Sequence, residues 1–128
     1  MSIKEKIELE FPVNSSPGVL YFRLSDPSGL DEWFADKVLT DYNKTYTFIW
    51  GDVTAKAIIS DMNEDEYIRF KWLDEEDKNY YLEFRIHVQE LTEETALLIT
   101  DFTEPDEKQS SIELWEKQVS KLREVLGV

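Results

Sequence analysis

Thr45-Tyr46-Thr47-Phe48-Ile49-Trp50-Gly51-Asp52-Val53-Thr54-Ala55-Lys56-Ala57-Ile58-Ile59-Ser60 holds two alternating runs across a two-residue turn. A Gly-Asp loop of that length pairs Trp50 with Val53 and fixes the register outward. Tyr46, Phe48 and Trp50 then share a face with Val53, Ala55, Ala57 and Ile59, while Thr45, Thr47, Thr54, Lys56 and Ser60 fall on the other. Both runs agree on which side is wet, so a hairpin of a sheet with one buried face is expected. Polar turns at 43–44, 61–65, 74–79 and 92–94 divide the surrounding sequence into six strands between Asp36 and Phe102. Ile68, Phe70 and Trp72 alternate with Tyr67, Arg69 and Lys71, and Leu82, Phe84, Ile86 and Val88 alternate with Glu83, Arg85, His87 and Gln89. The run from Thr95 to Phe102 is apolar on both sides, which leaves its facing open.

Upstream, Ile7, Leu9 and Phe11 against Lys6, Glu8 and Glu10 mark a first strand. Asn14-Ser15-Ser16-Pro17 and Ser25-Asp26-Pro27 each supply a helix cap followed by a first-turn proline. They predict a short helix to about Leu24 and a second carrying Leu30, Trp33 and Phe34 on one face. Downstream, Ser110-Ser111-Ile112-Glu113 reads as a capping box with Ser110 as the cap. Ile112, Trp115, Val119, Leu122 and Leu126 step along one face of a long helix that Gly127 ends. The large apolar surface available to that stripe is the inner face of the sheet.

The chain has 128 residues with 14 Lys and Arg against 28 Asp and Glu, a net charge of −14. One domain over 1–128 is expected at this length. The acidic balance disfavours nucleic acid and anionic membrane surfaces, and the absence of cysteine excludes thiol chemistry. No apolar run is long enough for a membrane span and no signal peptide is evident, so a cytoplasmic protein is expected. Asn14-Ser15-Ser16 and Asn43-Lys44-Thr45 match the glycosylation sequon, which carries no meaning without secretion.

The order strand, two short helices, six antiparallel strands and a long helix resembles the helix-grip fold of the START-like (SRPBCC) superfamily. Leu30-Asp31-Glu32-Trp33-Phe34-Ala35-Asp36, Trp50-Gly51-Asp52, Tyr67-Ile68-Arg69-Phe70-Lys71-Trp72 and Leu114-Trp115 are similar to segments of domains related to the activator of the ninety-kilodalton heat-shock chaperone's ATPase. Asp101-Phe102-Thr103 stands where those domains commonly have His-Ser-Gly. The resemblance implies an α+β fold in which a seven-stranded antiparallel curved sheet wraps a C-terminal helix. It also implies a space between the two in which relatives hold small apolar molecules.

Phe48, Trp50, Phe70, Trp72 and Phe84, with Tyr46 beside them and Trp33 and Trp115 facing from the helices, are the candidate lining of such a cavity. The same rings opposite Ala55 and Ala57 also suit a filled core. Hydroxyls of Tyr21, Tyr46 and Tyr80, with Asp101 if it faces inward, are candidates to orient a ligand, although the facing of Asp101 is open and an exposed Asp101 capping the next loop is the favoured reading. His87 falls on the wet face as part of a surface ladder. Asp61-Met62-Asn63-Glu64-Asp65 opens like a calcium loop, but Glu66 and Trp72 occupy its glycine and bidentate glutamate positions, so a hairpin turn is expected. Asp74-Glu75-Glu76-Asp77 reads as a solvated loop. Non-catalytic binding of a small apolar or amphipathic ligand is the function these features favour, without metal or organic cofactor. The alternative is a protein-interaction module with a closed core, monomeric or a homodimer paired through an exposed edge strand. An enzyme on this fold would need a buried polar group of perturbed pKa, and no strong candidate stands out.

Overall fold

The Gly51 turn sets the frame. Trp50 pairs with Val53, Phe48 with Ala55 and Tyr46 with Ala57, with Gly51 at φ 54°, a conformation that glycine adopts without strain. In the computed structural model, which describes residues 3–77 and 79–128, the elements follow in the expected order. They are β1 (Glu5–Pro12), α1 (Pro17–Ser25), α2 (Pro27–Leu30), β2 (Lys37–Thr40), β3 (Thr45–Trp50), β4 (Val53–Asn63), β5 (Tyr67–Trp72), β6 (Leu82–Val88), β7 (Thr95–Thr103) and α3 (Lys108–Leu126). The strands form one antiparallel seven-stranded sheet in the order β1-β7-β6-β5-β4-β3-β2. Among the described residues no helix is long and apolar enough to cross a membrane.

Register resolves the facing of β7. Phe11 lies opposite Leu97, Leu9 opposite Ile99 and Ile7 opposite Asp101, while Ile99 and Leu97 lie opposite Phe84 and Ile86 on the other side. Leu97, Ile99 and Asp101 therefore share the inner face with the aromatic rows. Packing over that face is supplied by α1, α2 and α3. Leu20 and Leu24 of α1, Leu30 of α2, and Trp115, Val119 and Leu122 of α3 are buried against it. The far end of α3 is pinned where Arg123 donates two hydrogen bonds to the Pro12 carbonyl (2.9 and 2.6 Å). Gly127 ends the helix in the left-handed conformation at φ 76°, with the Val128 N–H reaching the Arg123 carbonyl.

Four local expectations are corrected. Helix α3 starts at Lys108 rather than at Ser110, because the Pro105–Glu107 3₁₀ turn runs straight into it; Ser110 donates back to the Glu107 carbonyl instead of capping. Glu113 accepts from Gln109 one turn earlier. Trp33 and Phe34 lie in the turn after the four-residue α2, which Asp26 caps through the Ser28 N–H. On the outer face Glu83 is only 7% exposed, since Arg69 (2.8 Å) and Arg85 (3.2 Å) close over it. Burial alone would raise the Glu83 pKa, but hydrogen bonds from Arg85 and Arg69 bring it below the usual carboxylate value. A register shift between Ile59 and Asp61 also bends β4, a bulge that alternation does not announce.

Candidate functional site

Antiparallel pairing gathers the ends of β3, β5 and β7, the starts of β1, β4 and β6, and the first turns of α3 at one end of the sheet. An open cleft of about 410 Å³ lies there, lined by Phe34, Trp50, Val53, Asp101, Ser111, Leu114, Trp115 and Gln118. The volume falls within the range of small-molecule sites. Its walls are mostly apolar and its rim is wet: Val53 is 61% and Leu114 56% exposed. The two give the cleft an apolar edge.

The Phe34 carbonyl organises one wall. It accepts from the Trp50 indole N–H (2.6 Å) and from the Gln118 amide (3.0 Å), tying the connection after α2 to β3 and to α3. Phe34 then stacks on Trp115 at 5.7 Å with rings 11° apart and meets Trp50 edge-on at 5.3 Å. Both tryptophans are held at the cleft by several contacts, as a binding wall requires.

Asp101 corrects the expectation of an exposed loop cap. The alternation of β7 turns it inward, where Oδ2 accepts from the Trp115 indole N–H (3.0 Å) and Oδ1 from the Phe102 N–H (2.9 Å). Desolvation raises its pKa above the ordinary aspartate value, against the two hydrogen bonds and the field of Lys4, which lower it. Lys4 is occupied elsewhere: its Nζ lies 2.5 Å from Glu75 and its backbone N–H donates to the Tyr80 hydroxyl. A carboxyl whose pKa rises on folding favours the folded state below its unfolded value, and that stability is lost as pH rises through the folded value. Melting wild type and Asp101→Asn from pH 7 down to pH 4 is expected to show the wild type gaining on the variant as pH falls. A gap that stays constant or moves the other way contradicts this placement.

The other expected site residues divide by depth. Phe48, Phe70 and Phe84 are 0% exposed, and each lies within 6.3 Å of at least three other rings. Trp33 is buried with its indole N–H on the Arg23 carbonyl (2.7 Å). Tyr46 and Tyr21 tie α1 to the sheet, donating to the Ser25 carbonyl (2.7 Å) and the Tyr67 carbonyl (3.2 Å); burial pushes the Tyr21 phenol up to about 12. Their hydroxyls are thus engaged in the fold. Trp72 is half-buried beside Trp50, in a neighbouring hollow with Lys4, Ala55, Asp74 and Glu75. Trp50 and Trp115 are the two candidates that reach the cleft.

The remaining polar candidates lie away from it. His87 is exposed opposite Ala96, in a larger polar hollow of about 650 Å³ with Glu10, Asn14, Gln89 and Glu94. Asp61 accepts from the Tyr67 hydroxyl (3.0 Å), and 64–66 is the hairpin turn between β4 and β5, with Asp65 at φ 64°. Phe34, Val53, Ser111, Leu114 and Gln118 were not among the expected lining: Phe34 and Val53 read as facing the core and Ser111 as part of a capping box, while Leu114 carries the signal of an apolar residue off the stripe of α3.

Comparison with known proteins agrees with this architecture. A family model described as START-like superfamily domain matches residues 1–128. The solution structure of BfR322 from Bacteroides fragilis is 45% identical, covering 98% of this chain and 93% of that one, with a TM-score of 0.67. The Aha1 dimer from Colwellia psychrerythraea superposes with a TM-score of 0.80 at 13% identity, over 95% of this chain and 96% of that one. DynU16, a protein of the dynemicin biosynthetic locus, gives 0.74 at 13% identity over 96% of this chain and 47% of its own. No curated protein matches. With the helix-grip architecture in place and the family model matched from end to end, the chain belongs to the START-like superfamily.

Proposed function

We propose that the protein binds a small amphipathic ligand, without transforming it, in the cleft between the β3–β4 turn and the first turns of α3. The observation that carries this reading is the combination at one place of fixed aromatic walls, exposed apolar rim residues and an inward carboxylate. Superfamily membership supports it, since binding modules are common there. The ligand lies at the mouth of the grip, with its apolar part on Trp50, Trp115, Val53 and Leu114. The fully buried Phe48, Phe70 and Phe84 form the packed floor beneath it.

Leu114→Asp tests this with little risk to folding, because the side chain is already more than half exposed. Burying a Leu side chain against a ligand contributes about 1.5–3 kcal/mol. In a tryptophan-fluorescence titration with 1-decanol, the variant is therefore expected to bind at least about tenfold more weakly at unchanged melting temperature. Equal affinities in variant and wild type contradict the site.

A further inference from the structure

Within the cleft, polarity is one-sided. Its lining includes one ionisable side chain, Asp101, and no lysine or arginine. Each carboxylate oxygen of Asp101 accepts one hydrogen bond from the protein, which leaves acceptor capacity on both. Among the described residues Asp101 has no ion-pair partner; Lys4, whose field reaches it, is held by Glu75. The Trp115 indole N–H holds this carboxylate, and the half-buried Trp50 ring lines the same cleft with a face that attracts cations and offers nothing to an anion. The whole chain, at −14, adds a field of the same sign.

On the reading of the cleft as a ligand site, we infer that its ligand is a protonated amine carrying an apolar chain or ring, with the ammonium on Asp101 between the Trp50 and Trp115 rings and the apolar part along Val53 and Leu114. A carboxylate held half out of water is costly in the free protein, and an ammonium donor restores what desolvation removes. A neutral alcohol satisfies the same lone pairs without the charge, and a carboxylate ligand meets repulsion at the floor. Asp101 thus acts as the selector of head group, while the apolar rim supplies binding that any amphiphile shares.

Three probes of equal chain length separate these contributions: decylammonium, 1-decanol and decanoate, titrated at pH 7 in 0.15 M salt and below their aggregation limits. Calorimetry gives affinity, and the indole N–H cross-peaks of Trp50 and Trp115 report location. Decylammonium is expected to bind about tenfold more tightly than decanol, with decanoate weakest. In Asp101→Asn, the preference for decylammonium over decanol should disappear. Leu114→Lys, at an exposed position, should weaken decylammonium and strengthen decanoate without touching Asp101, and decides the matter if the first variant folds poorly. Decanol binding as well as decylammonium, or a preference that survives both variants, overturns the cationic head group and leaves the apolar site standing. Failure of all three probes to bind at these indoles overturns the site and the inference together.

Discussion

Phe84→Ala is expected to destabilise the protein by about 4 kcal/mol, the cost of removing a fully buried phenylalanine whose cavity the surroundings cannot refill. Phe84 sits at the centre of the rings, 5.5 Å from Trp33, 5.7 Å from Phe34, 5.9 Å from Trp115 and 6.3 Å from Phe70. It joins β6 to β5, to the turn after α2 and to α3 at once. A loss of that size should lower the melting temperature by roughly 15 °C for a chain of this length. Phe84→Leu, which keeps most of the volume, should lose less than half as much. The comparison separates a packed floor from an open interior, because a ring that lined a void would have fewer neighbours to lose. Chemical denaturation of both variants measures it, and a cost near 1 kcal/mol for the alanine contradicts the filled centre.

Gly29→Ala is expected to be nearly as damaging for a different reason. A Cβ at Gly29 would lie 2.3 Å from the Phe22 carbonyl oxygen and 2.8 Å from the Arg23 Cα. Both are backbone atoms of α1, so neither can swing aside. Relief requires α1 and α2 to separate, which would displace Leu30 and the Trp33 indole from their places against the sheet and the Arg23 carbonyl. A loss of about 3 kcal/mol follows by the scale of overpacking. Gly18→Ala is the contrast: its Cβ would stand 3.7 Å from the Asp65 carboxylate, and inside α1 alanine is favoured over glycine by up to about 1 kcal/mol. The two substitutions should therefore move the denaturation midpoint in opposite directions. Equal effects would contradict the close α1–α2 approach.

The sheet was legible because period-two alternation and a two-residue turn fix facing and register together, as Trp50 opposite Val53 shows. Helix α3 was legible in its stripe and its Gly127 stop, though not in its start, where proline geometry at Pro105 overrode a good capping sequence. The site was less legible for the reason that made the sheet easy. An inward aromatic looks the same in sequence at the middle of a strand, as Phe48 and Phe70 are, and at its end, where Trp50 opens onto the cleft. Asp101 was hidden because β7 is apolar on both faces, and its facing comes from the pairing of Leu9 with Ile99 and Ile7 with Asp101 across β1. Glu83 lies on the outer face as its alternation says, but its burial there depends on Arg69 reaching across from β5 to join Arg85 of its own strand, and the cross-strand half of that cover shows in no single run. Phe34 contributes to the cleft as much through its carbonyl as through its ring, and a backbone acceptor has no signature in sequence.

On the proposed reading the ligand site lies at the mouth of the grip and the aromatic interior is its floor. The indole N–H groups make a direct test, because Trp50 and Trp115 border the cleft, on the Phe34 carbonyl and on Asp101, whereas Trp33, as buried as Trp115, lies away from it on the Arg23 carbonyl. In ¹⁵N–¹H spectra of uniformly labelled protein titrated with 1-decanol, the Trp50 and Trp115 cross-peaks are predicted to shift saturably and together while that of Trp33 stays in place. Saturable movement of Trp33 with Trp50 and Trp115 unmoved would put the ligand elsewhere, and no saturable movement of any indole would contradict the account.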